Sequence, residues 1–152
     1  MSPISIAGSG TITGISVGGI PDGVVDTDVL AANAVTTAKL GSAEQSGLCK
    51  AFVNFNGTST VAIRASYNVS SITDNGTGDY TVNFTTALAD ANYAMTSSCN
   101  QTMTSDASRA MSCAENTTTA RTASLIRILC GFVENANSGV ADPSFVSVAI
   151  FR

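Results

Sequence analysis

From Ala51 onward apolar and polar residues alternate with a period of two, interrupted by clusters of turn-forming residues. In "DYTVNFTT" (79–86), Tyr80, Val82 and Phe84 stand against Thr81, Asn83 and Thr85, the pattern of a strand with one buried face. "AFVNF" (51–55), "TVAIRASYNV" (60–69), "SSIT" (70–73), "NYAMTSSC" (92–99), "RAMSC" (109–113), "TASLIRILCGF" (122–132) and "FVSVAIFR" (145–152) read as further extended runs. Asn56-Gly57 predicts a tight hairpin, because both positions of such a turn need φ > 0. "DNGTG" (74–78) predicts a second turn. No stretch carries a helical apolar stripe. The fold class that follows is all-β, an antiparallel sandwich of jelly-roll-like kind, closed by a last strand tied into a sheet near Arg152.

The pattern before Cys49 differs. "TITGISVGGIPDGVVDTDVLAANAVTTAKL" (11–40) repeats every ten residues, with Ile15, Val25 and Val35 in one column and Ile20, Leu30 and Leu40 in another. Residues five apart face opposite sides of a strand and lie about 140° apart on a helix. Neither element therefore gathers these side chains onto one face. Short extended pieces joined at Gly18-Gly19, Asp22-Gly23 and Gly41 satisfy the spacing, as do short helical turns capped by Asp26 or Asp28. Two aliphatic residues per decamer cannot offset the entropy of ordering the backbone, so these columns call for surface from other chains.

Composition sharpens the division. All nine aromatics lie at or beyond Phe52, while eight of the thirteen glycines precede Cys49. We therefore expect an extended attachment and trimerisation segment over 1–48 and a β head over 49–152. Charged residues make up only 12% of the chain, which leaves little repulsion between molecules and suits assembly. The seven basic residues form no cluster and the net charge is −4, arguing against nucleic acid. No apolar run is long enough to span a membrane, and "MSPISIAGSG" lacks the basic start of a signal peptide.

"DGVVDTDVLAANAVTTAKLG" (22–41) resembles the repeats near the N-termini of bacteriophage tail-fibre proteins. "KAFVNFNGTSTVAIRASYNVSSITDNGTGDYTVNFTTALADANYAM" (50–95) is similar to a stretch shared by phage tail-fibre and tail-associated proteins. The resemblance covers about half the chain and fades after Met95. It implies a homotrimer in the virion, with a threaded N-terminal part, β heads, no enzymatic activity and no cofactor. Its expected partners are tail or baseplate proteins and a glycan or protein of the host surface. Capsid decoration by trimeric knobs is the alternative, favoured by the short chain. Trimer and attachment contacts are expected from Ile15, Ile20, Val25, Leu30, Val35 and Leu40. Host contacts are expected from Tyr93 and from the loop bearing Asp74, Asn75 and Asp79.

Candidate chemistry is sparse. With no histidine, the commonest general base and metal ligand is missing, and Ser–His or Cys–His pairs cannot form. Cys49, Cys99, Cys113 and Cys130 lack the close pairs of structural zinc sites. In a β-rich chain that works outside the cell they are disulfide candidates instead. Cys113 with Cys130, or Cys99 with Cys113, would make a local bridge. Cys49, alone at the junction, or whichever cysteine lacks an internal partner, would be left for a bond between chains or to another virion protein.

Overall fold

The computed structural model describes residues 34–100, 109–134 and 137–152. The columns at Ile15, Ile20, Val25 and Leu30 lie outside the described residues. Of the first compact unit, Met1–Gly41, the described part contains one 3₁₀ turn, Thr37–Lys39, closed by a hydrogen bond from Lys39 N–H to Thr36 O (2.9 Å). In it Val35 is exposed and Leu40 half-buried.

The second unit, Ser42–Arg152, begins seven residues before the boundary expected after Leu48, because a single helical turn, α1 (Ser42–Ser46), clusters with the strands. Its strands are β1 (Cys49–Asn56), β2 (Ala62–Tyr67), β3 (Val69–Gly76), β4 (Asp79–Phe84), β5 (Ala94–Cys99), β6 (Arg109–Glu115), β7 (Leu125–Glu134), β8 (Asn137–Val140) and β9 (Val146–Phe151). They form two antiparallel sheets. Sheet A runs β2-β1-β9-β5, and sheet B runs β3-β4-β7-β6, with β8 continuing beyond β4 along the same side of β7. The all-β sandwich read from the alternation is the observed architecture.

The period of two assigns the core. Ala51, Val53 and Phe55 of β1 and Val146, Val148 and Ile150 of β9 meet Tyr80, Val82 and Phe84 of β4 and Ile126, Ile128 and Cys130 of β7 in one cluster. Burying each large apolar side chain is worth about 1.5–3 kcal/mol, so this interlayer dominates the fold. Tyr80 is its centre. The ring is fully buried and meets Phe55 of the opposite sheet edge-on, with centroids 5.1 Å apart. Its hydroxyl lies 2.7 Å from Asp142 Oδ1 and 3.0 Å from Gly57 O, donating to one at a time. Desolvation, followed by the Asp142 carboxylate, raises the phenol's pKa above its ordinary value, so it remains a donor.

This arrangement corrects the reading of Asn56-Gly57. The hairpin loop between β1 and β2 is longer than two residues, and its positive φ falls on Ser59 (59°) rather than on Gly57. Gly57 is required for space: a Cβ there would sit 2.5 Å from the Tyr80 hydroxyl and 2.8 Å from Pro143 O. Its N–H donates to that same Pro143 carbonyl at 2.9 Å. The second turn is tight, with Thr77-Gly78 between the paired Gly76 and Asp79. Gly78 combines a φ of 69° with a close approach to Cys130 O and Ala141 O, where β4, β7 and the exit from β8 meet. Asp142 Oδ1 accepts from Gly78 N–H at 2.6 Å, linking this junction to Tyr80.

"TVAIRASYNV" reads as one run but forms two strands in different sheets. Asn68 breaks it with a φ of 54°, a conformation Asn tolerates better than most residues. Its side-chain amide donates to Lys50 O and Thr86 O (both 3.1 Å) and accepts from Thr86 N–H (2.8 Å). The corner carries the chain from sheet A to sheet B. The strand β8 is not foreseen at all, since "NSGV" carries no alternation.

Two substitutions separate the parts of this centre. Tyr80→Phe keeps the ring and removes the donor, and should cost roughly 1–2 kcal/mol in a denaturant titration. Gly57→Ala forces the hydroxyl and the Pro143 carbonyl aside and should cost roughly 1–3 kcal/mol.

Candidate functional site

The outward face of sheet A is assembled row by row from the strand register. Phe52 stands opposite Tyr67 on one side and Ala149 on the other, and Ala149 stands opposite Thr96. The next row is Ala65, Asn54, Ser147 and Ser98. The central strand β9 thus contributes only small outward side chains, Ser147 and Ala149, between larger ones on β1 and β5. The result is a shallow trough of about 230 Å³ lined by Phe52, Asn54, Thr96, Ser98, Ser147 and Ala149.

Phe52 walls one side, and Tyr67 stacks against it from β2. Their rings stack with centroids 6.3 Å apart and planes at 25°, and remain 41% and 59% exposed, so an aromatic platform faces solvent. Asn54 Nδ2 donates to Ser147 Oγ (2.9 Å) and Val146 O (3.3 Å), which fixes its amide. The lining offers hydroxyls, an amide oxygen and an aromatic face, and no ionised side chain. Such a surface suits a neutral, hydroxyl-rich ligand laid against the rings, rather than a phosphate or a carboxylate.

The residues expected to make host contacts lie elsewhere. Tyr93 is 4% exposed: its ring packs edge-on against Phe84 at 5.9 Å, and the Arg121 guanidinium lies 5.2 Å from its centroid. The hydroxyl faces Leu125 O (3.0 Å) and Thr122 O (3.3 Å). Tyr93 is a core residue, held there by the apolar area of its ring, and is no contact residue of this surface.

Asp74 and Asn75 are exposed at the β3–β4 turn, where they shape the backbone and brace the hairpin. Asp74 Oδ1 accepts from Gly76 N–H (2.9 Å), and Asn75 Nδ2 donates to Thr81 Oγ1 (2.9 Å). Asp79 is a structural ion-pair partner: Arg127 Nε and Nη2 donate to its two oxygens at 2.8 Å each, and Asn116 Nδ2 adds a bond at 3.1 Å. Hydrogen bonds from Arg127 hold its carboxyl below the usual carboxylate range, against the opposing effect of burial.

All four cysteines are free thiols. Cys49 is half-buried and its thiol faces Ala51 O at 3.2 Å. Cys113 and Cys130 stand directly opposite one another on β6 and β7.

The trough has a faint trace in the sequence. In "AFVNF" Phe52 takes the phase opposite the buried Ala51, Val53 and Phe55, a signal readable only once that phase is known. No family model, curated protein or solved structure matches the chain.

The Asp79–Arg127 pair makes stability depend on pH in one direction. A depressed carboxyl contributes stability that is full above its unfolded pKa, about 3.9, and is lost as pH falls through its folded value. Thermal midpoints should therefore fall on acidification below about pH 4, and Asp79→Asn should lower the midpoint at pH 7 while shrinking that acid-dependent loss.

Proposed function

We propose that this protein is a structural component of a phage virion, a short homotrimeric tail fibre whose head touches the host surface. The outer face of sheet A is the observation that carries the contact: an exposed aromatic pair beside an uncharged trough fits the neutral parts of a surface glycan. A trough this small makes a weak contact, and several heads presented together would raise the effective affinity without new contacts. Support for the attachment role comes from the tail-fibre resemblance of residues 22–41 and 50–95, and from aliphatic columns that no single chain of this spacing can bury. The role requires no chemistry from the chain and no cofactor.

Locating the protein on particles by antibody labelling tests the placement; labelling of the shell instead of the tail would replace the fibre with capsid decoration. Phe52→Ala with Tyr67→Ala removes only exposed rings, so stability should change by less than about 1 kcal/mol. Binding of the purified protein to host cell envelopes should weaken tenfold or more. Unchanged binding would remove the trough from the reading.

The attachment segment has its own test. Deleting residues 1–40 should leave a folded head with the thermal midpoint of the parent second unit, yet abolish incorporation into particles. Incorporation of the truncated chain would overturn the role assigned to the repeat.

A further inference from the structure

Three sulfurs meet at one end of the sandwich core. Cys130 on β7 is fully buried, while Cys113 on β6 and Cys99 on β5 are half-buried against the same cluster. Cys113 Sγ and Cys130 Sγ are 2.9 Å apart, inside the ordinary contact distance of two sulfurs, and Cys99 packs against the same cluster from the other sheet.

The backbone states which pair is built to join. Cys130 N–H donates to Gly78 O (2.7 Å) and Cys130 O accepts from Ala141 N–H (3.2 Å), so both its backbone groups point toward the β4–β8 side and away from β6. Cys113 O accepts from Ser97 Oγ at 2.5 Å, pointing away from β7 toward β5. Cys113 and Cys130 therefore form a non-hydrogen-bonded antiparallel pair. In that geometry the Cα atoms are about 4.5 Å apart, within the range of about 4.4–6.8 Å that a disulfide spans. No backbone hydrogen bond has to break for the sulfurs to close the remaining gap.

We propose that Cys113 and Cys130 are an oxidisable pair that closes to a disulfide within sheet B, while Cys99 stays a thiol beside it. With a small-molecule disulfide as oxidant the step balances. The Cys113 thiolate, nearer the surface, attacks one sulfur of the oxidant and releases its first thiol. The Cys130 sulfur then attacks Cys113 Sγ and expels the second. The protons of the two cysteines end on the two released thiols, and the oxidant gains the two electrons the pair loses. Burial lifts the Cys99 thiol to about 11, which keeps it protonated near neutral pH and poorly nucleophilic. Cys130 is fully buried and Cys113 only half-buried, so Cys113 is the entry point. A chain made in a reducing compartment would carry both thiols and close the bridge after exposure to an oxidising one.

Trypsin separates the cysteines, since cleavage after Lys39, Lys50, Arg64, Arg109, Arg121 and Arg127 puts Cys49 in 40–50, Cys99 in 65–109, Cys113 in 110–121 and Cys130 in 128–152. The folded full-length protein is incubated with oxidised glutathione, free thiols are blocked, and the digest is mapped by mass spectrometry without reductant. Peptide 110–121 should appear linked to 128–152, with 65–109 blocked as a thiol. Oxidation should raise the thermal midpoint by about 10 °C, because the bridge constrains the unfolded chain. Cys99→Ala should retain both effects and Cys113→Ala should lose both. A link between 65–109 and 128–152, a glutathione adduct persisting on 110–121, or four blocked thiols would each overturn the proposal. The wild-type map alone decides this if a variant fails to fold.

Discussion

The rest of the structure depends on Tyr80 being both the largest fully buried side chain among the described residues and a hydrogen-bond donor. Its ring spans the interlayer to Phe55, and its hydroxyl must reach polar partners because an unpaired donor in that core would cost roughly 1–3 kcal/mol. Those partners, Gly57 O and Asp142 Oδ1, belong to the loop after β1 and the segment before β9. One residue thus ties both central strands of sheet A to sheet B. The space it occupies explains Gly57, and the carboxylate it meets also receives the Gly78 N–H at the tightest turn. The phenol thus constrains Gly57 directly and is linked to Gly78 through Asp142.

With the core secured this way, the outward face of sheet A is free to vary. Its inward residues on β1 and β9 are aliphatic and aromatic; its outward ones form a trough because β9 carries Ser147 and Ala149 between Phe52 and Asn54 on one side and Thr96 and Ser98 on the other. Exposure of the Phe52–Tyr67 stack does not serve packing within the chain. That is why the trough, and not the polar loop over Asp74–Asp79, carries the functional reading. The loop's side chains are occupied in bracing the hairpin and, through Asp79, in pairing with Arg127.

The alternating strands are legible in the sequence alone, because a sheet with one buried face leaves a period of two. Tyr80, Val82 and Phe84 are buried where the alternation puts them. The neighbourhood of Cys113 and Cys130 was legible too, as a pair in adjacent runs, though not their opposition in register. Tyr93, expected among the host contacts, is core instead, because Phe84 and Arg121 pack around its ring. The candidate site is almost illegible in the sequence, since its lining residues come from three strands far apart in the chain.

By itself the sequence determined that the head is all-β and that Tyr80, Val82 and Phe84 of β4 share a face, because local sterics and hydrophobic burial act through neighbours two residues apart. It did not determine where a run leaves one sheet for another, as at Asn68, or why Gly57 is glycine, or which aromatics stay in water. Those depend on contacts between residues distant along the chain, such as Asn68 with Thr86, Gly57 with Tyr80 and Phe52 with Tyr67 and Ala149. Only the tertiary structure brings such partners together.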